Sequence, residues 1–186
     1  MRKSAERQDN ARKSTNKINF LYLLAYFWVL LKYFKHKTML KIGDRMPDFE
    51  VMDQDGNKVS SKDLIGKKTI IYFYPKDNTS GCTAEACNLR DNYETLIAKG
   101  YNVVGVSKDS VKSHKNFKEK YSLPFTLLSD TSTEMLQTFG AWGEKKMYGK
   151  TVMGTIRKTF IFDENGILTE IIERVDTGNH DAQILG

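Results

Sequence analysis

The chain has 186 residues, 40% hydrophobic and 28% charged, which is typical of one soluble globular domain with a substantial core. Its formal net charge is +6, but residues 1–38 hold nine lysines and arginines against two acidic residues, so the nearly neutral remainder excludes the basic surface of a nucleic-acid-binding protein. Two cysteines are too few for a disulfide-stapled secreted scaffold, and they indicate redox, catalytic or metal chemistry in a reducing compartment.

Residues 1–38 differ in composition from the rest of the chain. A polar, basic stretch (1–17) precedes a 14-residue apolar run (18–31), and residues 32–37 are basic again. Three interpretations are open: an upstream extension outside the working protein, a membrane anchor, or a signal peptide. The run is shorter than the ~20 residues of a spanning helix, and no small-residue cleavage site follows it. We expect the working domain to begin at Met39, in the cytoplasm, with a membrane role only if residues 18–31 act as an anchor.

From Met39 onward, predicted strands alternate with predicted helices. The strands are short and apolar, and lie at 49–51, around Val59, and at 69–74, 102–107, 125–129, 159–162 and 167–175. The helices follow capping residues or turns, and lie at 60–64, 82–98, 110–120, 130–139 and 180–185. Turn residues at 55–57 and 163–166 predict two hairpins, and the segment 140–156 is predicted as a Gly-containing loop. Single helices between strands predict an α/β fold with a mixed, mainly parallel central sheet and helices on both faces.

The segment 69–90 carries the clearest chemical signal. The strand 69–74 leads into turn residues 75–81, and Cys82 stands in the first turn of the helix that follows. Unpaired N–H groups and the positive end of the helix dipole favour the thiolate at such a position, and the thiolate is the nucleophile. The pattern therefore predicts a reactive Cys82.

The residues alone leave several alternatives open. Cys87, the only other cysteine, is as compatible with a structural role as with chemistry. A thiol–disulfide oxidoreductase normally uses a Cys-x2-Cys pair, but remains one alternative, and a redox-sensing or chaperone-like binding module is another. A metal site built from the cysteines with His36, His114 and His180 lacks a known ligand spacing, so we expect no metal. The three histidines are expected at the surface.

The segment YPKDNTSGCTAEAC (74–87) resembles the active-site segment of peroxiredoxins, specifically the bacterioferritin-comigratory-protein (peroxiredoxin Q) branch, and the resemblance covers essentially all of 39–186. Pro75, Thr79 and Cys82 match the family's PxxxTxxC signature, whereas Ser80 stands where many relatives have a second proline. The resemblance implies a thioredoxin-like fold, no cofactor, and reduction of hydrogen peroxide and organic hydroperoxides. It also implies thioredoxin or a similar thiol as reductant, and a monomer or weak homodimer.

The resemblance further implies a role for each site residue. Cys82 attacks the peroxide, which Thr79 and the backbone N–H groups of Gly81 and Cys82 bind. Pro75 shields the thiolate, and the permanently charged Arg157 favours the thiolate and orients the peroxide oxygens. Trp142 and Tyr148 could line the substrate entrance, although core packing is the expected role for these aromatic residues.

Cys87 is implied as the residue that resolves the Cys82 sulfenic acid by forming an intramolecular disulfide. Across five residues, an intact helix rises ~7.5 Å and turns by roughly 140°. A disulfide needs Cα atoms within about 7 Å and converging Cβ vectors. The first helical turns must therefore unwind, and we expect the reduced and oxidised forms to differ over residues 80–90.

Overall fold

The structure is a computed structural model that describes residues 39–147 and 149–186, so the predicted extension, His36 and Tyr148 lie outside the described residues. Within the described part of the chain, the strands are β1 Glu50–Asp53, β2 Lys58–Ser60, β3 Lys68–Phe73, β4 Tyr101–Ser107, β5 Thr126–Ser129, β6 Trp142–Met147, β7 Lys150–Thr155, β8 Lys158–Phe162 and β9 Leu168–Ile172. The helices are a 3-10 helix at Ser61–Leu64, α1 Ser80–Asp91, α2 Tyr93–Ala98, α3 Val111–Tyr121, α4 Glu134–Thr138 and α5 His180–Leu185. No helix among these is long and apolar enough to cross a membrane.

Seven of the strands form one mixed sheet in the order β2-β1-β5-β4-β3-β8-β9. The central strands β3, β4 and β5 run parallel to one another, and the flanking strands pair antiparallel. The parallel strands are joined through helices, as a βαβ connection requires. The expected α/β fold with a mixed central sheet is confirmed.

Strand β3 lies at the centre of the sheet and is buried on both faces. Ile70 and Tyr72 point to one face and Ile71 and Phe73 to the other, each with no exposed surface. The first face packs against apolar side chains of α1, α2, α3 and α5, and the second packs against α4 and the 3-10 helix. Helices therefore cover both faces, as predicted, but four of the five α-helices lie on the face that carries Cys82.

Two predicted elements differ from the structure. The helix expected over 82–98 breaks at Asn92, where the backbone leaves the helical region (φ −106, ψ 12) and the side-chain amide donates to the Asn88 carbonyl at 3.0 Å. The segment 140–156, predicted as a loop, contains the hairpin β6–β7. Its strands carry charged residues and glycines in place of a regular apolar alternation, so the period-2 signal is weak.

The two hairpin turns predicted from Gly-containing sequences are present. Gly56 and Gly166 have φ of 83° and 72°, in the region that favours glycine. The Gly166 N–H donates to the Asp163 carbonyl at 3.0 Å and closes the turn between β8 and β9. Arg157 directly precedes β8 and Thr159 lies within it. Because β8 pairs with β3, this hairpin helps to place both residues beside the end of β3.

Candidate active site

The loop after β3 delivers Cys82 to the first turn of α1. Thr79, the residue before the helix, has an extended backbone (φ −87, ψ 151), and its carbonyl accepts from the Thr83 N–H at 2.8 Å. Cys82 is the third helical residue and is only 2% exposed, packed in the same core cluster as Tyr72 and Ala86. The thiol therefore lies near the positive end of α1, in the position that the strand–turn–helix pattern predicted.

A buried polar network anchors the loop ahead of the cysteine. Asp77 accepts from the hydroxyls of Tyr74 and Ser113, each at 2.7 Å, and from His114 Nδ1 at 2.9 Å. His114 Nε2 lies 3.1 Å from the carbonyl of Leu128, which can only accept, so Nε2 carries a hydrogen. Although burial opposes ionisation, the hydrogen bond and charge of His114 hold the pKa of Asp77 below its ordinary value.

The prediction that His114 lies at the surface is wrong. Its side chain has no exposed surface, because α3 packs it beneath the loop against Tyr74 and Asp77. A histidine with both ring nitrogens in hydrogen bonds satisfies its polar atoms inside the core, so burial costs it little. The loop is thereby tied to α3 and to β5.

Arg157 reaches the thiol from the link between β7 and β8. The preceding Ile156 N–H donates to the Ala141 carbonyl at 2.8 Å, which fixes the backbone there. Arg157 Nη2 donates to Cys82 Sγ at 3.1 Å, and its side chain is 20% exposed. The structure thus brings together two residues that stand 75 positions apart in the chain. A guanidinium held against a sulfur near a helix N-terminus stabilises the thiolate.

The remaining residues of the predicted site lie in the loop and the first helical turn that lead to Cys82. Gly81 lies against Arg157, since a Cβ added to it would be 3.6 Å from Nη2. Pro75 is half-buried and Thr79 is exposed. The Thr79 hydroxyl donates to the Lys76 carbonyl at 2.9 Å, which leaves its oxygen lone pairs free to accept from a ligand. Trp142 packs against the second core cluster, consistent with the packing role expected for it.

A buried carboxylate, which sequence reasoning missed, holds the other end of Arg157. Glu85 has no exposed surface, and its Oε2 accepts from Arg157 Nη1. Burial raises the pKa of Glu85 to about 7, against the opposing effect of the Arg157 charge. The available signal was its spacing: Glu85 is three residues after Cys82, next to the buried Ala86, and therefore on the inward face of α1.

The second buried histidine lies beside this carboxylate, so the prediction that His180 is at the surface is also wrong. Its Nδ1 is 3.3 Å from Glu85 Oε1, and its Nε2 is 2.9 Å from Thr159 Oγ1. Burial and the Arg157 charge lower the pKa of His180 to about 4, so the ring is neutral near neutral pH. His180 opens α5, which packs its apolar face against the sheet and carries the imidazole inward.

Comparison with known proteins decides the family. Residues 42–171 match the AhpC/TSA family. The chain belongs to this family. The putative peroxiredoxin bcp of Coxiella burnetii is 44% identical over 147 residues, which cover 79% of this chain and 97% of that protein. Peroxiredoxin Bcp of Escherichia coli is 42% identical over 146 residues, which cover 78% of this chain and 94% of that protein. A solved structure of PrxQ from Xylella fastidiosa superimposes with a TM-score of 0.74 at 30% identity, covering 80% of this chain and 94% of that one.

The chain is therefore a peroxiredoxin with a thioredoxin-like fold, and its activity is that of a cysteine-based thiol peroxidase. The bacterioferritin comigratory protein of Xanthomonas campestris also shares the fold, with a TM-score of 0.69 and 34% identity over 74% of this chain and 87% of that one. The resemblance stated from residues 74–87 is confirmed.

In this peroxiredoxin both cysteines are free thiols. Cys82 is buried and Cys87 is half-buried, and α1 is continuous through both, from Ser80 to Asp91. The structure therefore represents the reduced, helical form. In it, four helical residues lie between Cys82 and Cys87, and the helix geometry keeps their sulfurs on different faces of α1.

Proposed function

We propose that Cys82 is the peroxidatic nucleophile of this thiol peroxidase, and that Arg157 is the cation that supports its thiolate. The observation that carries the proposal is the 3.1 Å hydrogen bond from Arg157 Nη2 to Cys82 Sγ in the first turn of α1. Cys82 thereby meets both conditions for a reactive thiol, a helix N-terminus and a fixed positive charge. Cys87 has the half-buried position and the helical context of a partner thiol, and Arg90 lies beside it, but it stands in the body of α1, away from the helix N-terminus.

The chemical step is a displacement at oxygen. The Cys82 thiolate attacks the terminal oxygen of a hydroperoxide, the S–O bond forms and the O–O bond breaks, and Cys82 becomes a sulfenic acid. The leaving oxygen departs as an alkoxide or hydroxide, which takes up a proton to give an alcohol or water. Arg157 is placed to stabilise the charge that moves from sulfur to oxygen.

The surrounding residues suit a hydroperoxide as substrate. Thr79 offers an oxygen that can accept from the peroxide hydroxyl, and the backbone N–H groups of Gly81 and Cys82, in the first helical turn, are donors without helical partners. Pro75 limits access of water from the loop side. The relative from Xanthomonas campestris is described by its alkyl peroxide reduction activity, which supports organic hydroperoxides as substrates beside hydrogen peroxide.

Cys87 is proposed to resolve the sulfenic acid within the same chain. The disulfide requires α1 to unwind between the two cysteines, and polar contacts limit the unwinding at both ends. Before Cys82 the Asp77 network ties the loop to α3, and after Cys87 the Asn88 amide donates to Gly178 O at 3.0 Å and to Asp181 Oδ1 at 2.8 Å. The disulfide then lies in a loosened surface segment, open to thioredoxin or a similar thiol reductant.

We also propose that residues 39–186 are the working domain, acting in the cytoplasm as a monomer or weak homodimer. The family match at 42–171 lies wholly within this range. Two free cysteines suit a reducing compartment, where a reduced thiol reductant is available.

Stoichiometric oxidation followed by mass spectrometry tests the assignment. The reduced protein treated with one equivalent of hydrogen peroxide should give an intramolecular Cys82–Cys87 disulfide. Cys87→Ser should stop at the Cys82 sulfenic acid, over-oxidise more readily and stall with thioredoxin. Cys82→Ser should retain less than about a hundredth of the peroxidase rate, because a serine hydroxyl is not ionised near neutral pH. Full turnover by Cys82→Ser, or a dominant interchain Cys82–Cys82 species, would overturn the mechanism.

A further inference from the structure

One largely buried cation, Arg157, contacts two acidic groups in this site. Arg157 donates through Nη2 to Cys82 Sγ and through Nη1 to Glu85 Oε2, and Cys82 and Glu85 are both almost fully buried. With both groups ionised the site would hold two negative charges against one positive charge in a low-dielectric environment. One proton held by either of the two acidic groups gives the neutral arrangement.

His180 lies on the side of Glu85 away from Arg157, and it can pair with the Glu85 carboxyl whether that group is protonated or ionised. Among the described residues, Glu85 Oε1 and His180 Nδ1 have no hydrogen bond of good geometry, yet they face each other at 3.3 Å with no exposed surface. A protonated Glu85 would donate to Nδ1, and Nε2–H would then donate to Thr159 Oγ1 at 2.9 Å. An ionised Glu85 would accept from Nδ1–H, and the Thr159 hydroxyl would donate to Nε2. A hydroxyl serves both arrangements because it donates and accepts.

We propose that Glu85 and His180 form a buried proton store for peroxide reduction: the pair holds a proton while Cys82 is a thiolate and releases it when Cys82 becomes a neutral sulfenic acid. The inference rests on the proposed role of Cys82. Both are positioning residues: Glu85 contacts Arg157, which holds the sulfur, and His180 faces Glu85.

The proton balance closes without a further reactant. The thiolate and the hydroperoxide give a sulfenic acid and an alkoxide, and the alkoxide takes up one proton to become an alcohol. Once the sulfur has lost its charge, the Glu85 carboxyl loses one proton and its carboxylate pairs with Arg157 alone. The net charge of the buried site is unchanged, and the solution supplies no proton. When the thiolate is regenerated, the carboxylate regains its proton.

The other ionisable groups around the pair do not compete for this role. Within the described residues, the ionisable groups that face the pair are Cys82, Arg157, Tyr72 and Asp181. Burial and the charge of Glu85 raise the pKa of Tyr72 well above its ordinary value, so its hydroxyl stays protonated. Asp181 is held by the Asn88 amide at 2.8 Å and by its own backbone N–H, which donates to Asn88 Oδ1 at 2.9 Å. Near neutral pH the ring of His180 is neutral, as burial dictates.

Proton counting tests the proposal directly. Full-length Cys87→Ser protein, reduced and held at neutral pH with a pH indicator, is mixed with hydrogen peroxide in a stopped-flow instrument. The thiolate consumed is measured by its ultraviolet absorbance in the same sample. We expect about half a proton or less to be taken up for each thiolate consumed. With the isosteric Glu85→Gln change added, the uptake should rise to about one proton for each thiolate.

Two further variants separate the proton store from a packing effect. His180→Leu should also move the uptake towards one, because Glu85 then lacks the partner that accommodates both charge states. Ile184→Ala removes apolar packing from the same helix, and should leave the uptake at the value of its parent. An uptake of one proton per thiolate in the parent, unchanged by Glu85→Gln, would overturn the proposal. Failure to find an added oxygen on Cys82 by mass spectrometry would instead refute the proposed function.

Discussion

Replacing Glu85 with glutamine should stabilise the folded protein, and the gain should depend on pH. Burial raises the pKa of Glu85 from 4.5 to about 7. Between these values the unfolded chain has released the proton and the folded chain still binds it, so stability falls as pH rises through this window. At about 1.4 kcal/mol per pH unit, the wild-type protein carries a penalty of about 3 kcal/mol above the folded pKa. A glutamine carries no such penalty.

Urea unfolding of the reduced proteins measures this difference. At about pH 8 the free energy of unfolding of Glu85→Gln, relative to wild type, should exceed the same difference at about pH 5 by roughly 2 kcal/mol. Only the change between the two pH values is compared, so any constant effect of the amide on the Arg157 contact cancels. Because the pKa of His180 is lowered to about 4, the folded protein loses stability as the pH falls below 6.5. This loss occurs in both proteins.

A relative stability that is the same at both pH values would show that Glu85 is ionised throughout, and the argument from burial would then be wrong. If Glu85→Gln stabilised the protein more at the acidic pH than at the basic pH, the predicted direction of the pH dependence would be wrong. Glu50, which pairs with Lys58 at the surface, provides the matched control. Because both side chains of this pair are largely exposed, Glu50→Gln should change stability little at both pH values.

Three further predictions concern residues 1–38, helix α1 and the Thr79 hydroxyl. A protein that begins at Met39 should keep the melting temperature and peroxidase activity of the full chain; a large loss of either would place residues 1–38 in the domain. On oxidation, amide exchange over residues 80–90 should speed up while β3 and β4 stay protected, and unchanged exchange in α1 would contradict the unwinding. Thr79→Val should lower the rate constant for peroxide by about a hundredfold and Thr79→Ser should restore most of it, whereas equal rates for both variants would exclude the hydroxyl.

The sequence predicts those parts of the fold that depend on local chemistry. The predicted apolar strands and Gly-containing turns are present, and so are the predicted helices apart from the break at Asn92, because each depends on residues close together in the chain. The break at Asn92 was missed because a side-chain amide that bonds its own helix backbone leaves no periodic signal. The hairpin β6–β7 was missed because its two strands pair with each other, apart from the main sheet, and carry charged residues.

The sequence likewise predicts only some residues of the candidate site. Cys82 could be placed at a helix N-terminus from its own neighbourhood, and the resemblance then pointed to Arg157, which the fold brings to the sulfur. The second set of residues, Glu85, His180 and His114, could not be found by rules that place polar residues at the surface. Each is buried because a distant partner satisfies or faces its polar atoms, and such partners are known only once the fold is known.

The contacts of α1 indicate how oxidation itself can trigger the unwinding that the disulfide needs. In the reduced form the start of the helix is held by the bond between the Cys82 sulfur and Arg157 and, in the proposed mechanism, by a thiolate charge at the positive end of the helix. A hydrogen bond to a charged group contributes about 1.5–3 kcal/mol, and the helix dipole about 0.3–1 kcal/mol. When Cys82 is a neutral sulfenic acid, most of the contribution of the charged hydrogen bond and of the helix dipole is lost. The Asn88 contacts with Gly178 and Asp181 do not involve the sulfur and persist. We therefore expect oxidation to loosen the first turns of α1 selectively, so that Cys87 can reach Cys82 over a segment anchored at its far end.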